Sequence, residues 1–143
     1  MLMKRNDFSV CPCCSGNHPT LSKASYALCC RPLLEGEALA ETAEQLMRSR
    51  YTAFVEKNET YLLSTWHPDN RPVSIEFDKA IKWLGLKIKK TRAGQKPDQE
   101  GWVEFVARYK IGGKAGRIEE LSHFIKAENR WLYVAAVEEE QHS

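Results

Sequence analysis

WVEFVARYKIGGKAGRIEELSHFIKAENRWLYVAAVEE, residues 102–139, reads as three strands joined by two tight turns. Val103, Phe105, Ala107 and Tyr109 recur at every second position, which places them on one face of an extended segment. GGKAG turns the chain, RIEELSHFIK runs back, AENR turns it again, and WLYVAAVEE closes the sheet. Upstream, Leu86 and Ile88 alternate with lysines in LKIKKTR, so another strand precedes the polar loop AGQKPDQEG.

Helices are expected before these strands. In ALAETAEQLMRSRYTAFVEKN, residues 38–58, Thr42 followed three residues later by Gln45 is a capping-box signature. Ala43, Leu46, Met47, Arg50, Tyr51, Phe54 and Val55 then share one helical face. Asn58 is expected to cap a second, short helix that presents Tyr61, Leu62 and Trp66 and stops before Pro68. Ser74 is expected to cap a third, carrying Phe77, Ala80, Ile81 and Leu84 until Gly85 ends it. Helices followed by a strand meander predict an α+β fold, with the helices packed on one face of an antiparallel sheet.

A chain of 143 residues suits one compact domain with at most a small appendage. Its 43% hydrophobic and 28% charged residues are ordinary for a globular protein. A formal net charge of +2 argues against a dedicated nucleic-acid binder. MLMKRNDFSV has no apolar core suited to a signal peptide, and no later run reaches the ~20 apolar residues of a membrane span. The expected compartment is the cytoplasm, where thiols stay reduced.

All five cysteines lie between Cys11 and Cys30. An odd count in a reducing compartment disfavours a disulfide framework. Cys11 and Cys13 form a Cys-x-Cys pair and Cys29-Cys30 an adjacent pair, so two short couples can supply the four soft ligands of a tetrahedral zinc ion. Residues 1–36 hold only scattered apolar groups, among them Phe8, Val10, Tyr26, Leu28 and Leu33. So short a segment needs a staple, and zinc binding in finger peptides contributes roughly 10–16 kcal/mol.

CPCCSG…SYALCC resembles the SEC-C motif, a zinc-binding element also found at the tail of the SecA translocation ATPase. The resemblance implies Cys11, Cys13, Cys29 and Cys30 as the zinc ligands. Cys14 stands where the motif usually has glycine, and the loop carrying His18 is longer than usual. Replacement of Cys13 by Cys14, or of one member of the second pair by His18, therefore stays open. MRSRYTAF, STWHP, WLGL, EFVARY and GGKAG…F are similar to the YchJ-type family of bacterial SEC-C proteins. That similarity implies a zinc-binding element over residues 1–36 and a nuclear-transport-factor-two-like (cystatin-like) cone over 37–143. Because SEC-C elements are associated with chaperone contact, it also implies docking to a protein partner, near protein export or quality control.

The alternative function is small-molecule binding or catalysis inside the cone. Arg50 falls within an apolar stripe, where a buried guanidinium would need an acceptor, and Glu120 is the candidate. The ordinary expectation is that Arg50 sits at the stripe's edge and extends to water. Trp66 and His67 could orient a ligand or move a proton, although Trp66 as core and His67 as a cap on helix carbonyls is the plainer reading. One titratable group without a visible partner does not make a catalytic apparatus. Lys87, Lys89, Lys90, Arg92 and Lys96 could touch nucleic acid, a weaker third reading, but lysines on an edge strand more often deter aggregation.

Overall fold

The computed structural model describes residues 6–14 and 24–138, so His18 lies outside the described residues. Three helices precede four strands: α1 Arg31–Leu34, α2 Ala43–Glu56, α3 Glu59–Ser64, β1 Ile81–Ala93, β2 Glu100–Ile111, β3 Lys114–Ala127 and β4 Arg130–Val137. The strands form one antiparallel sheet in the order β1-β2-β3-β4. The α+β class, with helices against a curved sheet, is therefore the class that the sequence predicts.

The two turns of the meander explain its register. Gly112 and Gly113 connect β2 to β3 with φ of 55° and 84°, and Glu128 and Asn129 connect β3 to β4 with φ of 52° and 65°. Two consecutive left-handed residues match the natural twist of a hairpin, and glycine and asparagine tolerate them best. Register shifts between Trp83 and Gly85, between Ile88 and Lys90, and between His123 and Phe124 add bulges that bend the sheet.

The caps predicted at Thr42 and Asn58 form. Thr42 Oγ1 accepts from Gln45 N at 3.0 Å, and Gln45 Oε1 accepts from Glu41 N at 2.6 Å. Asn58 Oδ1 accepts from Tyr61 N at 3.0 Å. Helix α2 lies on the concave face, where Leu46, Met47 and Tyr51 are buried with Leu86, Val103, Phe105, Phe124 and Trp131. Burial of each such large side chain contributes about 1.5–3 kcal/mol. The start of α2 meets the β1–β2 hairpin closely, with Ala43 N donating to Gly94 O at 2.9 Å. A Cβ on Gly101 would lie 2.4 Å from Gly94 Cα and 3.3 Å from Ala43 Cβ, so this close approach requires glycine.

The third predicted helix does not form. Residues 72–78 belong to no helix or strand, and Ile81 already begins β1. Exposure alternates over Ser74, Ile75, Glu76, Phe77 and Asp78, then over Ile81, Lys82, Trp83 and Leu84. The segment thus carries a period of two, and its apolar residues happen also to fit a helical spacing. Ile75 N donates to Glu59 Oε2 at 2.7 Å, which ties this segment to α3.

Candidate metal centre and cone cavity

Ahead of α1 the chain doubles back on itself. Tyr26 N donates to Ser9 O at 2.8 Å, Ala27 N to Asp7 O at 3.0 Å and Cys11 N to Ala24 O at 2.9 Å. A single turn over Pro12–Cys14 closes through Cys14 N to Cys11 O at 2.9 Å. These bonds set the two cysteine couples face to face. The Sγ atoms of Cys11, Cys13, Cys29 and Cys30 all lie within 4.8 Å of one another. Cys13 and Cys29 approach to 3.5 Å, and Cys29 and Cys30 to 4.0 Å. A tetrahedron with zinc–sulfur bonds of about 2.3 Å has edges of about 3.8 Å, so the donor set matches a four-thiolate ion.

All five cysteines are free thiols, and Cys11, Cys13 and Cys30 are fully buried. Cys14 comes within 3.8 Å of Cys13 Sγ yet stands outside the foursome. The four spacing-predicted cysteines are therefore the ones that converge. Their mutual hydrogen bonds split their acidities: bonds from Cys13, Cys29 and Cys30 hold Cys11 far below an ordinary thiol, and the bond to Cys11 pushes Cys13 up. A divalent ion would relieve this crowding by displacing the remaining protons.

Helix α2 supports the cluster from behind. Thr52 Oγ1 donates to Cys30 Sγ at 3.4 Å and lies 3.8 Å from Cys11 Sγ. Arg48 Nη1 donates to Cys13 O at 2.9 Å while its Nε is held by Glu44 Oε2 at 2.9 Å. Groups of this kind orient the ligands of a metal site. Sequence reasoning missed both residues. Their signal is faint, two polar side chains four apart on a helix and hence on one face.

The next face of α2 borders a cavity of about 680 Å³ between the helix, residues 76–78 and the sheet. Arg50, Trp66 and Glu120 all line it, together with Tyr133 and the aromatic rings of Tyr51, Phe54, Phe77, Trp83 and Phe105. Arg50 is only 3% exposed, so it does not reach the solvent at the stripe's edge as expected. Its Nη1 donates to Leu62 O at 2.8 Å and Thr65 Oγ1 at 2.7 Å, and its guanidinium lies 5.0 Å from the Trp66 ring centre and 4.6 Å from that of Tyr133. Burial lowers its pKa to about 10, against weak attraction from Tyr133, Tyr61 and Glu120. The helix accommodates the charge with two carbonyl or hydroxyl acceptors and two aromatic faces in place of a counter-ion.

Glu120, the expected acceptor for Arg50, is in the cavity but not in contact with it. Its Oε2 accepts from Ser122 Oγ at 2.5 Å and from Tyr133 OH at 3.0 Å. Burial and the neighbouring Glu120 raise the Tyr133 phenol, which keeps it a hydrogen-bond donor. His67 is not among the cavity-lining residues. Its Nδ1 accepts from Asp69 N at 3.1 Å, and Arg71, not His67, binds the Trp66 carbonyl, with Nη2 at 2.8 Å. Trp66 itself pairs with Tyr133 through a parallel backbone bridge and an edge-to-face ring contact at 5.3 Å.

Residues 42–136 match the family model described as YchJ, middle NTF2-like domain. The chain belongs to this family. A UPF0225 protein of Chromobacterium violaceum is 43% identical over 141 residues, covering 96% of this chain and 98% of its own. A Bordetella pertussis member of UPF0225 is 46% identical over 135 residues, covering 92% and 96%. Among solved structures, a SEC-C motif containing protein from Rhodopseudomonas palustris superposes with a TM-score of 0.73 at 31% identity, over 83% of this chain and 95% of that one. The crystal structure of a SEC-C motif containing protein from Psychrobacter arcticus gives 0.76 at 24% identity, over 94% and 86%, a likeness of fold. The YchJ-type resemblance drawn from the short motifs is thus shown, and the NTF2-like domain is the part of the chain that encloses the cavity.

Proposed function

We propose that this YchJ-type protein binds a small molecule in its cone and uses a structural zinc ion, held by Cys11, Cys13, Cys29 and Cys30, to fasten the N-terminal knob. The observation that carries the reading is Arg50. A guanidinium 3% exposed, facing an aromatic-lined cavity of about 680 Å³ without a carboxylate in contact, is costly for a fold with no use for it. Ligand sites are concave, mainly apolar and furnished with a few convergent polar groups, and Arg50, Glu120 and Ser122 are such groups here. The reading is binding rather than catalysis, since His67 faces Asp69 outside the cavity. Four thiolates must stay reduced to hold zinc, so the reading places the protein in the cytoplasm. The test is an NMR titration of the zinc-loaded protein with small aromatic compounds. Shifts gathered at Tyr51, Trp83, Phe105 and Tyr133 are expected, and shifts scattered over the outer face would overturn the reading.

A second reading, docking of a protein partner, rests on the surface of the knob. Phe8 is 89% exposed, Leu28 85% and Val10 45%, and the Ala27 N to Asp7 O bond brings the first two into one neighbourhood. Large apolar groups exposed together mark interaction sites. Under this reading, Phe8→Ser with Leu28→Ser abolishes capture of the partner while leaving the metal content at one ion per chain. Nucleic acid is a poorer fit, because Lys89 is shared between Glu104 at 3.8 Å and Glu119 at 3.4 Å, and Lys96 faces Glu41 at 3.8 Å.

A further inference from the structure

The lining of the cavity restricts what can occupy it. Along the rim, the exposed Lys57 and Lys82 are balanced by the exposed Glu76 and Asp78. Inside, the charges are Arg50 and Glu120. Arg50 spends Nη1 on Leu62 O and Thr65 Oγ1, and its Nε and Nη2 have no hydrogen-bond partner among the described residues. Glu120 spends Oε2 on Ser122 and Tyr133, and its Oε1 has no such partner either. The Trp66 indole N–H is also buried without one. Tyr133 holds both charges in place, with its ring face beside Arg50 and its hydroxyl on Glu120. One tyrosine therefore fixes a cation and an anion near each other but out of ion-pair contact.

A wholly apolar ligand would leave both charges desolvated and unanswered. A bare anion would answer Arg50 and repel Glu120, and a bare cation would do the reverse. The pair is answered by a ligand that carries an oxyanion beside a hydrogen-bond donor. Much of the rest of the wall is aromatic, with Tyr51 and Trp83 edge to face at 5.8 Å and Phe54 and Phe77 edge to face at 6.2 Å. Such walls accept a ring.

Resting on the small-molecule reading above, we propose that the cavity binds an aromatic α-hydroxy or α-amino acid. Its carboxylate meets the free edge of the Arg50 guanidinium, its hydroxyl or amino group donates to Glu120, and its ring enters the aromatic wall. Guanidinium and carboxylate are matched in shape for paired hydrogen bonds, which is why a bidentate contact is available at Nε and Nη2.

The experiment uses the full chain with its metal and four probes: 3-phenyllactate, phenylalanine, phenylacetate and 2-phenylethanol. Calorimetric titration is expected to give phenyllactate or phenylalanine at least about tenfold tighter binding than phenylacetate and 2-phenylethanol. Glu120→Gln, at a partly exposed position, should erase the advantage of phenyllactate over phenylacetate, and Arg50→Gln should reduce every acid to the affinity of the alcohol. Should Arg50→Gln fail to fold, the Glu120→Gln comparison decides by itself. Equal binding of all four compounds within the cavity would overturn the acid assignment and leave the small-molecule reading standing. Absence of binding by all four, with a neutral apolar dye also failing to enter, would overturn both.

Discussion

The two sides of helix α2 face opposite kinds of site. On one side, Arg48 and Thr52 close a shell around four sulfurs, each group engaged with a named partner at the knob. On the other, Arg50 and Glu120 line a cavity whose wall is largely aromatic. A closed donor set holds shape, and a set left open is ready to exchange partners with a ligand. On the reading proposed above, the satisfaction of polar groups, more than their number, separates the two sides.

Removal of the metal should break the comparison most severely. If the closed side depends on its ion, chelation forfeits the roughly 10–16 kcal/mol that a zinc-finger peptide gains from it. The knob should then become sensitive to protease while β1–β4 remain folded, which mass spectrometry of the fragments will report. Acidification should act in the same direction, because protons compete for the thiolates, so metal content measured against pH must fall as pH falls. A knob that stays resistant without metal would contradict the closed-site description.

Next in size is Gly101→Ala. With 2.4 Å available to the new Cβ, the hairpin and the start of α2 must part, at a cost of about 1–3 kcal/mol in denaturant titration. Both sites should suffer together, since both depend on where α2 lies. Thr52→Val keeps shape and removes one donor to sulfur; competition with a chromophoric chelator should show metal affinity falling about tenfold. Cavity ligands should bind the variant as before, and any parallel loss would mean that the two sides of α2 are not independent. Smallest is His67→Ala, expected to change stability by no more than about 0.5 kcal/mol and to leave calorimetric ligand binding unaltered.

The meander and the caps were legible because their signals are local. Alternation in EFVARY, glycine at the 112–113 turn, and Thr42 with Gln45 act over a few residues and need no tertiary partner. The cysteine foursome was legible for a similar reason, since short couples bring their sulfurs together once the intervening chain reverses. The segment 74–84 was misread because its apolar residues satisfy two periods at once, and pairing of β1 with β2 decided between them. Arg50 was misjudged for a subtler cause. What keeps it buried is Leu62 O, Thr65 Oγ1 and the rings of Trp66 and Tyr133, which arrive from three other elements. Arg48 and Thr52 escaped notice because a mid-helix arginine and threonine have no local mark that they face sulfur.

Helix α2 also constrains how this chain can be altered. Each residue advances the helix by about 100°. Deleting one residue between Arg50 and Thr52 would swing the threonine hydroxyl off the sulfurs while leaving the guanidinium where it was. Compensating at the far end would misdirect Phe54 instead. Length changes belong in the 95–99 loop, and anyone grafting the cysteine knob onto another scaffold must transplant the 48–52 turn in phase with it.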